Sequence, residues 1–257
     1  MTKSILKLLS NFINICLLSS ILFYCYSLFR INDLPDASDI YKELEFEPSQ
    51  TLVKVPNFSF SYIGNTYQIE PKAKYEISGL VVSHNNINSF ADIYHDETSV
   101  DIKDICLIWG RNLNNEIFKN VSFWNESVSC HVKYDKLPNS VKFYMTDLSN
   151  NHLISSDAKV RQAISNIRVG DQVTLKGKLV NYWDSRYPEF VRKTSLNRKD
   201  TAGGACEVMF VESVEIIKKF SRTWHNIYDI SKNLILPLLI IKIVAFCLFA
   251  WLEFKFC

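Results

Sequence analysis

The sequence predicts an α+β, mainly β chain: an OB-like small β-barrel with one helix, flanked by two transmembrane helices. Long apolar runs lie near both ends, the first of them uncharged, and the stretches between them alternate apolar and polar residues as strands do. One segment of helical period falls among those strands. The chain has 257 residues, of which 47% are hydrophobic and 13% aromatic, which excludes an intrinsically disordered protein. A formal charge of +2 argues against a strongly basic nucleic-acid binder.

Residues 8–29 carry no charge. At ~1.5 Å per residue they can cross a ~30 Å hydrocarbon core. Tyr26, Ser27, Leu28 and Phe29 make a poor signal-peptidase site, so residues 1–30 read as an uncleaved transmembrane signal anchor. Residues 31–72, with Pro35, Pro48, Pro56 and Pro71, read as a linker, with a short edge strand where Phe58, Phe60 and Tyr62 alternate.

The OB-like globular domain is placed at residues 73–218. Strands are expected at 75–82, where Gly79 marks a bulge or close approach, at 102–109, at 128–134, and at 141–145 after the Pro138-Asn139 turn signal. Ser156 suits a helix N-cap, Val160, Ala163, Ile164 and Ile167 share one helical face, and Gly170 is placed to stop the helix. The clearest strand is 170–182, where Val173, Leu175, Gly177 and Leu179 alternate with Gln172, Thr174, Lys176 and Lys178. A last strand is expected at 207–217, with long loops at 84–104 and 183–205. A helix between the third and fourth strands is the OB order, and a split α+β sheet is the alternative.

Residues 219–233 read as a juxtamembrane helix and 234–252 as a C-terminal transmembrane helix. Lys242 falls in the middle of this second run, where a lysine costs ~3 kcal/mol unless it snorkels. It reads as a snorkelling lysine, or as a contact with another membrane helix or an anionic lipid. Lys3 and Lys7 place the N-terminus in the cytoplasm and the domain outside, whereas Lys218, Lys219, Arg222 and Lys232 favour the reverse. The first segment usually dominates, so the domain is expected outside.

Seven cysteines divide by location. Cys16, Cys25, Cys247 and Cys257 lie in or beside the membrane runs. Cys106 and Cys130 fall on neighbouring expected strands, so they suit a disulfide if the domain is outside; buried thiols are the alternative. Cys206 would remain a thiol. Asp92, His95, His152 and Glu207 are donor types for a divalent metal, although their spacing matches no strong rule. The competing reading makes them polar loop residues, with His152 and Asn151 tying a turn.

The stretch 192–207 combines positive charge (Arg192, Lys193, Arg198 and Lys199) with hydroxyls (Thr194, Ser195 and Thr201) and a glycine pair, Gly203 and Gly204. Such a loop could hold a phosphate, a carboxylate or an anionic headgroup, and it is not a Walker A loop. A solvated hairpin with a glycine turn is the plainer reading. Tyr182, Trp183 and Tyr187 lie near Lys176, Lys178 and Arg186, a pattern that suits single-stranded nucleic acid, but two anchors and the low net charge argue against it. No motif specifies a cofactor.

The blocks GLVVS (79–83), DIYH (92–95), KDICLIWG (103–110), SNNHLI (149–154), GDQVTLKGKLVNY (170–182) and RKTSLNRKDTAGGACE (192–207) resemble those of an uncharacterised family of bacterial membrane-associated proteins. Ala202 and Gly203 depart from the family form, which is closer to T-G-x-G-A-C. The resemblance implies a bacterial envelope setting and supplies no substrate, cofactor or catalytic residue. The expectation is a two-pass inner-membrane protein displaying a periplasmic binding or assembly module for an anionic ligand or lipid headgroup. Membrane lipids and another membrane protein are its expected partners. A metal-assisted hydrolase using His95 and His152, and a cytoplasmic-facing nucleotide- or RNA-binding module, are the alternatives.

Overall fold

The computed structural model describes residues 3–87, 98–126, 129–134, 142–200 and 206–255. Its three described α-helices are α1 (Lys3–Arg30), α2 (Ala158–Ser165) and α3 (Arg222–Lys255). The chain divides into two units, Met1–Asp33 with Ser221–Cys257, and Leu34–Phe220.

In the first unit, α1 and α3 are both long and apolar enough to cross a membrane. Tyr24 stacks on Tyr228 with ring centroids 5.3 Å apart, and Tyr26 meets Trp224 at 5.0 Å. Lys7 and Ser10 share a cleft with Lys242 and Phe246, so the helices run side by side in opposite directions. Ile13, Leu17, Ser20 and Ser27 are buried along one helical face of α1. Where separate juxtamembrane and membrane helices were expected, α3 is continuous from Arg222. No glycine lies within it, and its Pro237 is accommodated inside the helix. Lys242 therefore stands past the midpoint of α3, level with the N-terminal third of α1.

The second unit carries nine strands among its described residues: β1 (Ser49–Leu52), β2 (Phe58–Tyr62), β3 (Asn65–Asn86), β4 (Asp101–Ile108), β5 (Ser122–Glu126), β6 (Ser129–Lys133), β7 (Leu148–Ile154), β8 (Gln172–Asp184) and β9 (Glu207–Lys218). The main path runs β3–β4–β7–β9–β8, and β3 also pairs with β8, so the two ends of the path are hydrogen-bonded to each other. All pairings on this path are antiparallel except β7 with β9. The α-helix α2 follows β7 and precedes β8.

Alternation along the strands builds the interior. Ala73, Tyr75 and Ile77 of β3, Ile105 and Leu107 of β4, Val173, Leu175 and Leu179 of β8, and Met209 and Val211 of β9 form one buried cluster with Ile164 and Ile167. Leu80, Val82, Cys106 and Ile108 face the other way and pack with Leu44, Leu113, Phe118 and Phe143. Every residue of β4 is buried, its charged Asp101, Lys103 and Asp104 as well as its apolar Ile102, Ile105, Leu107 and Ile108. At Gly177 a β-carbon would stand 2.1 Å from the Phe210 carbonyl oxygen, at a shift in the β8–β9 register.

Several expectations need correction. Residues 34–72 are no linker: β1 and β2 pair with β3, Leu44 is fully buried, and Gln172 accepts from the Tyr41 amide and donates to the Asp39 carbonyl. The prolines there punctuate short segments without detaching them. Asp157, not Ser156, caps α2, accepting from the amides of Lys159 and Val160 at 2.7 and 3.1 Å. Asn166 ends the helix, and Gly170 instead adopts φ +83° beside Phe220 before β8. The 128–134 stretch does not join the main sheet; β6 pairs with β5 in a separate hairpin. Residues 142–145 form no strand, and the third strand of the main path is β7, the expected polar loop.

Candidate functional site

Strand β7 sits between β4 and β9, and its polar side chains are buried there. Its register sets His152 opposite Asp104 of β4. The imidazole Nδ1 lies 2.6 Å from Asp104 Oδ1, with side-chain exposures of 3% and 1%. A carboxylate can only accept, so Asp104 keeps a proton on Nδ1. Arg192 arrives from the loop after β8, where its backbone exchanges hydrogen bonds with Tyr182 at 2.9 and 3.0 Å. Its guanidinium approaches the His152 ring nitrogens at 2.9 and 3.0 Å.

Burial pushes the His152 pKa down, but hydrogen bonds to Asp104 and Cys206 outweigh it and carry it from 6.5 up to about 9. The nearby Arg192 charge opposes that rise. Burial also disfavours the Arg192 cation, yet Asp101, Tyr182 and Asp104 hold its pKa above the ordinary arginine value. The Tyr182 hydroxyl donates to Asp101. Burial, with the Asp101 charge, raises the Tyr182 pKa well above its usual value.

Polar groups continue outward from His152. Asn150 Nδ2 is 3.6 Å from the Cys206 sulfur, Asn125 Nδ2 donates to Asn150 Oδ1 at 3.0 Å, and Ser83 donates to Asn125. A disulfide joins Cys106 to Cys130, with Cα atoms 5.8 Å apart, and ties the β5–β6 hairpin to β4.

A second cluster lies at the start of β9. Glu207 pairs with Arg198 and is only 4% exposed. Burial pushes its carboxyl from 4.5 up to about 7, against the pull of Arg198. The Arg198 guanidinium lies 5.3 Å from the Tyr75 ring centroid and 5.4 Å from that of Trp109. With Lys199, Trp109, Arg111, Asp147 and Glu47 it lines a cleft of about 300 Å³. Arg111 grips Asp147 with two nitrogens and its backbone amide, and lies 3.9 Å from the Tyr144 ring centroid. Burial favours the neutral Asp147 carboxyl, but the Arg111 contacts prevail and hold its pKa below the usual value.

The expected anion-binding residues separate in space. Arg198 lines the cleft, whereas Arg192 turns to His152. Thr194 and Ser195 shape the loop: the Val208 amide donates to Thr194 Oγ1 at 3.0 Å, and Ser195 Oγ donates to Asp200 at 2.6 Å. Both hydroxyls are therefore committed to scaffolding. Thr201, Gly203 and Gly204 lie outside the described residues, as do Asp92 and His95. Of the expected metal donors, His152 is engaged by Asp104 and Glu207 by Arg198. Among the described residues no three His, Cys, Asp or Glu side chains converge as a metal site would require.

Sequence reasoning missed Asp104, Trp109, Arg111 and Asp147. The tripeptide Trp109-Gly110-Arg111 carried the available signal, since a strand end that turns at a glycine often presents its neighbours to a cleft. Compared with protein-family models, with curated proteins and with solved structures, the chain matches none.

Proposed function

We propose that this chain is a two-pass inner-membrane protein whose OB-like barrel, on the periplasmic face, binds an anionic group in the Arg198 cleft. The barrel reading is supported by the path β3–β4–β7–β9–β8 returning to β3, by the parallel pair β7–β9, and by the position of α2 between β7 and β8, the third and fourth of these five strands in chain order. The periplasmic reading is supported by the Cys106–Cys130 disulfide, which belongs to oxidising compartments, and by Lys3 and Lys7 at the N-terminal end of α1, ahead of its uncharged run. The bacterial inner membrane itself comes from the family resemblance.

One observation carries the binding reading: Arg198 reaches a cleft of about 300 Å³ while its carboxylate partner, Glu207, has its pKa pushed up to about 7. An anion in the cleft competes with Glu207 for the guanidinium. Glu207 answers by taking up a proton, which leaves the Arg198 charge to the ligand. Binding is therefore coupled to proton uptake. Isothermal titration of the full-length protein in detergent with inorganic phosphate tests this. Heat of binding at pH 6 that vanishes in Arg198→Gln is expected; no binding, or an unaffected variant, would refute it.

A second reading rests on the order Asp104–His152–Cys206, a carboxylate, an imidazole and a thiol joined by hydrogen bonds. We infer that such a chain suits acyl transfer: the sulfur attacks an ester carbonyl, and His152 passes a proton to the departing alcohol. A burst of alcohol release from p-nitrophenyl acetate, lost in His152→Gln and Cys206→Ser alike, would favour it over the binding reading.

A further inference from the structure

The membrane unit contains a second cationic site. Where the N-terminal part of α1 lies along α3, a cleft of about 530 Å³ is lined by Lys7, Ser10, Asn11, Lys242, Phe246 and Phe249. This volume falls within the range of about 300–1,000 Å³ typical of small-molecule sites. Lys242 belongs to an otherwise apolar stretch of α3, and Lys7 precedes the uncharged run of α1. The antiparallel register brings these two ammonium-bearing residues, far apart in sequence, to one cleft. None of the described residues lining it is acidic. Two lysines facing a membrane cleft with no carboxylate among its described lining residues call for an external anion, because desolvating an ammonium is costly unless it is paired.

The rest of the lining narrows the occupant. Ser10 and Asn11 offer hydrogen-bond donors beside the lysines, and Phe246, Phe249 and Leu9 offer an apolar wall. That combination is amphipathic in the same sense as a phospholipid, with a charged end and a hydrocarbon end. We propose that Lys7 and Lys242 hold the phosphate of one anionic phospholipid, from the leaflet on the side of the α1 N-terminus, with an acyl chain against Phe246 and Phe249. Lys242 is then a lipid ligand, kept in an apolar helix by the phosphate it binds. The site is separate from the Arg198 cleft and independent of which way the chain crosses the membrane.

Native mass spectrometry of the full-length protein in mild detergent, with dioleoylphosphatidylglycerol or dioleoylphosphatidylcholine added at equal concentration, tests the proposal. The expected result is one retained phosphatidylglycerol and little phosphatidylcholine. Each of Lys7→Gln and Lys242→Gln should weaken retention about fivefold, as expected for one lysine at a lipid surface. Lys242→Leu, which eases membrane insertion, should lose the lipid equally while the protein stays monodisperse. Lys232→Gln should retain it. Equal occupancy by both lipids, or retention unchanged in Lys242→Leu, would overturn the assignment. Displacement by an equal concentration of glycerol 3-phosphate would identify a soluble-phosphate site and also overturn it.

Discussion

Asp104 Oδ1 stands 2.6 Å from His152 Nδ1, and both side chains are almost wholly shut from solvent. The pair joins β4 to β7 at opposed register positions. It therefore behaves as an internal ionic rivet whose strength depends on one proton.

That proton sets a pH dependence. His152 binds it more tightly in the folded chain, with a pKa of about 9 against an ordinary 6.5. The stability it confers is whole below about pH 6.5 and is lost as pH rises through about 9. The thermal midpoint of the full-length protein should fall across that window. His152→Gln should flatten the slope and lower stability at pH 7 by on the order of 3 kcal/mol, because Asp104 then loses its partner.

Glu207 should govern the pH dependence of anion binding. Its carboxyl is half protonated near pH 7, so affinity for sulfate, whose own charge is fixed in this range, should rise as pH falls from 8 to 6. Glu207→Gln removes the titrating group and should give affinity that is high and level across the same range. Calorimetry at three pH values reads both outcomes.

Gly177 should not tolerate a side chain. A β-carbon there would meet the Phe210 carbonyl oxygen at 2.1 Å and the Glu212 amide nitrogen at 3.1 Å, both rigid backbone. Gly177→Ala should cost about 2–3 kcal/mol, the scale of overpacking in a filled interior. Thermal denaturation of the full-length variant checks this.

The Cys106–Cys130 bond closes a sequence separation of 24 residues. Replacing both cysteines with alanine should lower stability by about 3 kcal/mol by releasing loop entropy in the unfolded chain. An impermeant maleimide reads the compartment in the same background. Cys206, which is partly exposed, should label in intact spheroplasts if the domain is periplasmic, and only after lysis if it is cytoplasmic.

How legible these features were in the sequence depends on whether side-chain periodicity matched burial. In β8, Val173, Leu175 and Leu179 alternate with polar residues and are fully buried, so the strand could be read directly. The face of α2 with Val160 and Ile164 was equally plain. Strand β7 was not, because Asn150, Asn151 and His152 are polar and buried together. Their burial is made tolerable by Asn125, Ser149 and Asp104, partners distant in sequence or visible only once register is known. The segment 34–72 misled for a related reason. Its short strands β1 and β2 find their pairing partner in the next strand, β3, whose length no local pattern announced. In the 192–207 stretch the charges were visible, but their division between His152 and the cleft was not. That division depends on the Tyr182–Arg192 backbone bridge.

Strand β3 also dictates an order of assembly. Its N-terminal half pairs along one edge with β1 and β2, which are neighbours in sequence, while the stretch from Tyr67 to Leu80 waits for β8, about a hundred residues later. The local sheet can form as soon as residue 76 is free of the ribosome, whereas the β3–β8 ladder must await nearly the whole domain. In that interval a long row of β3 backbone amides and carbonyls lacks its partner, and the nascent chain is most exposed to wrong pairing with another strand edge.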